Sequence, residues 1–226
     1  MMPVLFIAGI DTGIGKTFIT GLLGRSLIKQ NKTVITQKLV QTGCSGISED
    51  IIFHRKIMGI ELTEEDKSFQ TCSYVFEFPA SPHLSASVEK KRIDVERIAA
   101  STVQLSQKYD NVLIEGVGGL FVPLTLGYFA IDYIKDQKYP VVLVTSSRLG
   151  SINHTILSLE ALIIRNIPVR CIIYIRYINE DKIIGDDSPK VFKKYLKQKG
   201  FEHVPVIEVP EFNINKIPDI DFSSIM

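Results

Sequence analysis

The sequence predicts an α/β fold, a mostly parallel sheet with helices on both faces. Two observations carry that prediction. Near-continuous apolar runs of strand length alternate with helix-length patterns, as expected of strands buried on both faces. The first such run, residues 4–8, ends in the glycine-rich loop Gly9-Ile10-Asp11-Thr12-Gly13-Ile14-Gly15-Lys16-Thr17, which opens straight into a helical stretch. Length adds a bound: 226 residues, 45% hydrophobic and 23% charged, suit one α/β domain over 1–226 with a substantial core.

Each element has its own justification. After the loop, residues 18–30 read as a helix and 33–40 as a second strand ending in a polar loop. Residues 49–58 look like a short helix. The stretch 59–91 shows no clear pattern, and Pro79 and Pro82 mark it as loop-rich. Residues 94–108 are amphipathic, with Val95, Ile98, Ala99, Thr102, Val103 and Leu105 on or near one stripe. A buried strand, 112–115, opens into Gly116-Val117-Gly118-Gly119. There follow a short helix (130–138), a strand (141–144), a helix (152–165), a fifth strand (169–175), a helix (190–199) and a sixth strand (204–209). The tail after Pro210 shows no clear pattern.

A glycine-rich turn at a helix start points backbone N–H groups at one spot, where the helix dipole favours an anion. Lys16 can then reach β- and γ-phosphates, and the Thr17 hydroxyl can take a magnesium ion. Five residues separate Gly9 from Gly15-Lys16-Thr17, one more than the general phosphate-loop spacing, and Ile10 stands where glycine is expected. The fold expected is therefore phosphate-loop-NTPase-like.

Composition excludes several classes. Net charge is +1, so no global field draws the chain to nucleic acid or to a membrane. The basic run 190–197 has apolar residues at helical spacing and reads as the solvated face of a surface helix. Cys44, Cys72 and Cys171 lie far apart, with no metal spacing, and are expected as free thiols. No apolar run is long enough for a bilayer, and no signal peptide is evident. These features predict the cytoplasm.

In parallel sheets, ligands bind beyond the carboxyl ends of the strands. That selects the Gly9 loop, Lys38, Thr42, Glu115, Thr145 onward, and Ile175-Arg176. Glu115 ends an apolar strand; it is either a magnesium ligand beside a triphosphate or half of a structural ion pair. Asp50 by position reads as a helix N-terminal acid. The pair Asp50 and His54 hints at a metal site, but a solvated histidine is the favoured reading. Lys38 is either exposed or a second fixed positive charge opposite Lys16, where a γ-phosphate is transferred. The helix start Gly150-Ser151-Ile152-Asn153 offers a carboxylate a seat, or is merely capped by Ser151.

Taken together, Gly9 to Thr17, Lys38, Ser81-Pro82-His83, Glu115-Gly116-Val117-Gly118-Gly119 and Leu149-Gly150-Ser151-Ile152-Asn153-His154 resemble the dethiobiotin synthetase family. Even the longer loop spacing matches that family. The resemblance implies ATP-dependent condensation of carbon dioxide with 7,8-diaminononanoate, through a carbamate and a carbamic-phosphoric anhydride. It implies catalytic roles for Lys16 and Lys38. Magnesium would lie on Thr17, Asp50 and Glu115. ATP would be held by Gly13, Ile14, Gly15, Lys16, Thr17, Phe18, Asp50, Glu115 and Gly118, with Ile175, Arg176, Val209, Pro210 and Glu211 near the base. Substrate would touch Thr12, Lys38, Thr42 and, across a homodimer interface, Gly150, Ser151, Ile152 and Asn153. Ile175 and Arg176 replace the asparagine and polar residue that relatives often carry there to read adenine, and Glu208-Val209-Pro210 matches the family's closing segment only loosely.

Two rivals are considered. Partitioning or septum-placing ATPases share a related fold, but their early signature lysine is Asp11 here. Pro218 also breaks any membrane-binding helix in the tail. A non-catalytic nucleotide-binding module would not need two lysines and two candidate metal carboxylates.

Overall fold

The computed structural model describes residues 4–177, 181–210 and 217–225. Strand β1 (Val4–Gly9) leads through the glycine-rich loop into α1 (Lys16–Lys29), which returns the chain to β2 (Val34–Lys38). Short β3 (Gln41–Thr42) precedes α2 (Glu49–Met58). Then come α3 (Glu64–Lys67), β4 (Val75–Phe76), α4 (Pro82–Val88), α5 (Val95–Lys108) and β5 (Asn111–Glu115). A hairpin of β6 (Pro123–Thr125) and β7 (Tyr128–Phe129) enters α6 (Ala130–Asp136). The chain closes through β8 (Val141–Ser146), α7 (Ser151–Ile164), β9 (Val169–Ile175), α8 (Lys182–Gln198) and β10 (Val206–Val209).

Six strands form one sheet in the order β10-β9-β8-β1-β5-β2, and every pairing is parallel. The expected sheet is thus present, with β1 and its loop near the centre. Register aligns the functional ends: Glu115 lies opposite both Ile7 and Lys38, and Ile175 opposite both Ser146 and Val209. Phe6, Ile7, Val112, Leu113, Ile114, Val142 and Leu143 are almost wholly buried, which explains the unbroken apolar runs in the sequence.

Three places add to the sequence reading. The loop-rich stretch 59–91 holds α3, β4 and α4. Thr63 and Asp66 form a reciprocal capping box that starts α3, and Pro82 sits in the first turn of α4, where its missing N–H costs nothing. The helix expected at 190–199 begins at Lys182, capped by the Asp181 carboxylate, and runs through Pro189. Proline removes the donor for the carbonyl four residues back, Gly185; the Tyr174 hydroxyl donates to that carbonyl at 3.0 Å instead. Finally, the β6–β7 hairpin, too short to show a periodicity, went unseen.

Helices α1 and α2 approach closely through Gly21. A Cβ there would lie 2.9 Å from Ile57 Cβ, and one at Gly24 would lie 2.9 Å from the Met58 sulfur. The α2 helix is fixed at its start by the Ser48 hydroxyl, which accepts from Ile51 N–H at 3.3 Å, and at its end by Gly59 with φ 74°. Its first turn thereby faces the loop after β1.

Candidate active site

A cleft of about 580 Å³ opens at the carboxyl ends of β1, β2 and β5. It gathers Thr12, Gly13, Gly15, Lys16, Thr17, Lys38, Thr42, Asp50, Glu115 and Gly118 from the expected set. Val40, Gln41, Val117, Val122 and the segment Pro79 to Pro82 complete the wall.

Lys38 is the hub. It is buried, and its Nζ lies 2.5 Å from Asp50 Oδ2 and 2.8 Å from Glu115 Oε1, with the Gly116 carbonyl at 3.1 Å. The Thr17 hydroxyl reaches the same carboxylates, at 3.1 Å from Asp50 Oδ1 and 2.9 Å from Glu115 Oε1. Asp50 is therefore more than a helix-dipole acid, and Lys38 is not a solvent-exposed lysine. Burial would lower the Lys38 ammonium, but the facing carboxylates outweigh it and hold the group above its ordinary value. Burial would raise the Glu115 carboxyl; Lys38 and a hydrogen bond from His54 outweigh that and hold it well below the carboxylate range. Lys16 is buried too and donates to the Asp11 carbonyl at 2.8 Å. Burial, then the charge of Lys38, brings it down to about 8.

His54 corrects the sequence reading most sharply. Far from solvated, it is 0% exposed, with Nε2 2.7 Å from Glu115 Oε2 and Nδ1 3.0 Å from the Thr36 hydroxyl. Behind it, Arg55 donates to Thr36 Oγ1 at 2.8 Å and grips Asp66 through two bonds of 2.8 Å. The spacing of Asp50 and His54 on one helix face was the available signal; what could not be seen was that β2 and β5 would bury that face.

Other expected residues stand outside the cleft. Ile14 and Phe18 are buried under the loop and in the core. Ile175 is buried, and a Cβ on Gly15 would meet its Cδ1 at 2.5 Å, so it buttresses the loop from beneath and has no free edge for a base. Arg176 is held by Glu208 at 2.7 Å and Asp186 at 2.8 Å. Val209 is buried, Pro210 is exposed, and Glu211 lies outside the described residues. Gly150, Ser151, Ile152 and Asn153 begin α7 without lining the cleft. Gly150, not Ser151, is the capping residue, and the Ser151 N–H already donates to the Arg148 carbonyl at 3.0 Å. Two neighbours were missed. The Tyr177 hydroxyl donates to the Gly13 carbonyl at 3.1 Å, and Arg148 pairs with Asp11 at 2.7 Å. Both clamp the loop from residues far away in sequence.

Sheet order, the loop after β1, and the two lysines that line the cleft, Lys16 at the start of α1 and Lys38 at the end of β2, define a phosphate-loop α/β nucleotide enzyme. Solved structures share that fold: pNOB8 ParA bound to nonspecific DNA matches with a TM-score of 0.58 over 91% of this chain and 78% of that one. The receptor FtsY from Elizabethkingia anophelis matches at 0.52 over 98% and 63%. Identities are 14% and 17%, so these likenesses concern the fold alone, and nothing beyond it favours the partitioning reading. A family model described as an AAA domain matches residues 4–211. Similarity in sequence is far more specific. The chain is 53% identical over 215 residues to the ATP-dependent dethiobiotin synthetase BioD of Chlorobaculum tepidum, covering 95% of this chain and 90% of that protein. It is 50% identical over 213 residues to BioD 2 of Pasteurella multocida, covering 92% and 100%. The chain belongs to the dethiobiotin synthetase family.

Proposed function

We propose that this chain joins carbon dioxide to 7,8-diaminononanoate at the expense of ATP and closes the ureido ring of dethiobiotin. The observation that carries the reading is the meeting of Lys16, Thr17, Lys38, Asp50 and Glu115 at the floor of one cleft beneath a phosphate loop. One amine attacks carbon dioxide and loses a proton, leaving a carbamate. A carbamate oxygen takes the γ-phosphoryl group as ADP departs. The second amine attacks the carbonyl carbon of that mixed anhydride and gives up a proton, the bond from that carbon to the phosphate oxygen breaks, and the ring closes as phosphate leaves. Negative charge gathers first on the carbamate and then on the phosphoryl oxygens. Lys38, whose ammonium Glu115 and Asp50 hold above its ordinary value, supplies one fixed positive charge at the cleft floor. Lys16, at about 8, is charged at neutral pH and exchanges the Asp11 carbonyl for phosphate oxygens. Charge placed before the reaction needs no reorganisation in the transition state. Thr12 and Thr42, which also line the cleft, are assigned to the substrate.

Thr17, Asp50 and Glu115 fit a magnesium ion: two carboxylates and a hydroxyl converge as hard oxygen donors. No cluster of three or more His, Cys, Asp or Glu suited to a metal occurs among the described residues, so Thr17, Asp50 and Glu115 would hold the ion only together with oxygens from outside the protein. When bound, the ion would offset negative charge on the triphosphate.

We assign Gly150 to Asn153 to the carboxylate of a substrate held by a second copy of the chain. Two features support this: the stretch lies outside its own cleft, and Leu149 before it, Leu157 on the same helix and Phe121 beside Leu157 are exposed. Among the described residues no helix is long and apolar enough to cross a membrane. With a net charge of +1, neither membrane nor nucleic acid is assigned as a partner, and the cytoplasm is the compartment the reading implies. The test is phosphate release from ATP with diaminononanoate and bicarbonate, with dethiobiotin identified by mass. Release that does not depend on the diamine, or no product of that mass, would refute it.

A further inference from the structure

Glu115 uses its two oxygens differently. Oε1 faces the cleft and meets Thr17 and Lys38, whereas Oε2 points into the protein, where its partner is His54 Nε2 at 2.7 Å. Nothing in the carbamate chemistry uses His54. A buried imidazole there is a costly choice for filling space, because both ring nitrogens need partners.

The partners fix which nitrogen does what. Arg55 can only donate, so the Thr36 oxygen accepts from it at 2.8 Å. The Thr36 hydroxyl also meets His54 Nδ1, 3.0 Å away. The Glu115 carboxylate can only accept, so Nε2 carries a hydrogen and donates to it. Arg55 is itself held by the Asp66 carboxylate, which the Thr71 hydroxyl supports at 2.8 Å. Each polar group in this buried row, from Thr71 to Glu115, orients the next.

We propose that His54 is a positioning residue for the magnesium site: by holding Oε2, it fixes the plane of the Glu115 carboxylate so that Oε1 points into the cleft, and so sets metal affinity. This rests on the reading of Glu115 as a metal ligand. Partners behind a ligating group orient it and change affinity by about 10–100-fold when removed. In His54→Leu the carboxylate is free to turn and one buried oxygen loses its donor.

The test measures Mn2+ binding by the electron-spin signal of the free ion, in the presence of a non-hydrolysable ATP analogue. It is paired with the magnesium dependence of turnover. His54→Leu is expected to weaken Mn2+ binding at least about tenfold and to raise the magnesium requirement, with kcat at saturating magnesium much less affected. His54→Gln, whose amide nitrogen reaches the same point, is expected to restore most of the affinity. A merely structural role would lower thermal stability without this split or this rescue. Wild-type Mn2+ affinity in His54→Leu, while Glu115→Gln has lost it, overturns the role of His54 alone. Wild-type affinity in Glu115→Gln overturns the metal reading beneath it. Should His54→Leu fail to fold, Thr36→Val carries the test: weakened Mn2+ binding supports the proposal, and unchanged binding refutes it.

Discussion

Replacing Lys38 by methionine keeps the aliphatic stem and removes the ammonium shared by Asp50 and Glu115. The loss falls unequally. The Asp50 side chain is 24% exposed and regains water, but Glu115 is 1% exposed and does not. Breaking a buried pair from one side costs about 3–5 kcal/mol. Glu115 keeps Thr17 and His54, which places the cost at the lower end, about 3 kcal/mol. In a chain of this length that lowers Tm by about 6–12 °C. Magnesium and ADP added together return positive charge to the same carboxylates, so they should raise the Tm of Lys38→Met by more than that of the wild type. Turnover should fall at least about a hundredfold, because charge stabilised in the transition state is lost. Thermal melts with and without magnesium–ADP, alongside steady-state kinetics, measure all three. An unchanged Tm, or equal stabilisation of both proteins by the ligand, would refute the shared-charge argument.

Nucleotide choice should be loose. Ile175 is buried against the loop and Arg176 is tied to two carboxylates, so GTP and CTP should give kcat/KM within roughly tenfold of ATP, about 1.4 kcal/mol; a preference above about a hundredfold refutes this. Asp66→Asn should destabilise the fold at neutral pH by about 3–5 kcal/mol in urea titration, since Arg55 is left buried without its anion. Burial would raise the Asp66 carboxyl, but Arg55, Thr63 and Thr71 hold it below its ordinary 3.8. A depressed carboxyl adds stability above its unfolded value and loses it as pH falls through the folded one, so the gap to Asp66→Asn should stay flat from about pH 5 to 7 and narrow below about pH 4. A gap that persists unchanged in acid would contradict the ion pair. Lys38→Ala chains mixed with Asn153→Trp chains should regain roughly a quarter of wild-type activity, half the dimers being mixed with one sound site each; no recovery means that the sites are not shared.

What the sequence made legible was whatever lies within one element or one turn. The loop from Gly9 to Thr17, the strand ends at Lys38 and Glu115 and the alternation of strands with helices are all local patterns, and each stands where expected. Contacts made by sheet order were not legible. His54 is an ordinary polar residue on α2 until β2 and β5 cover it. Thr36 looked like a plain strand residue, although its hydroxyl joins Arg55 to His54. Pro82 was read as a mark of loop and Pro189 falls just before the helix expected at 190–199, yet one starts a helix and the other sits inside one, where Tyr174 serves the orphaned carbonyl. Resemblance to the family supplied Asp50, which position alone would have left as a helix-start acid.

The approach of α1 and α2 has a consequence for how the chain can vary. Thr17 rides on one helix, Asp50 and His54 on the other, and the gap between them is set at Gly21. A methyl group at Gly21 would meet Ile57 Cβ, an atom fixed to the backbone, so the helices themselves would have to part. At Gly24 it would meet the Met58 thioether, which can swing aside. Two glycines one turn apart thus differ in what they tolerate. Gly24 accepts a methyl group at the cost of a side-chain turn, whereas Gly21, which does not line the cleft, keeps the spacing between the helices that carry Thr17 and Asp50.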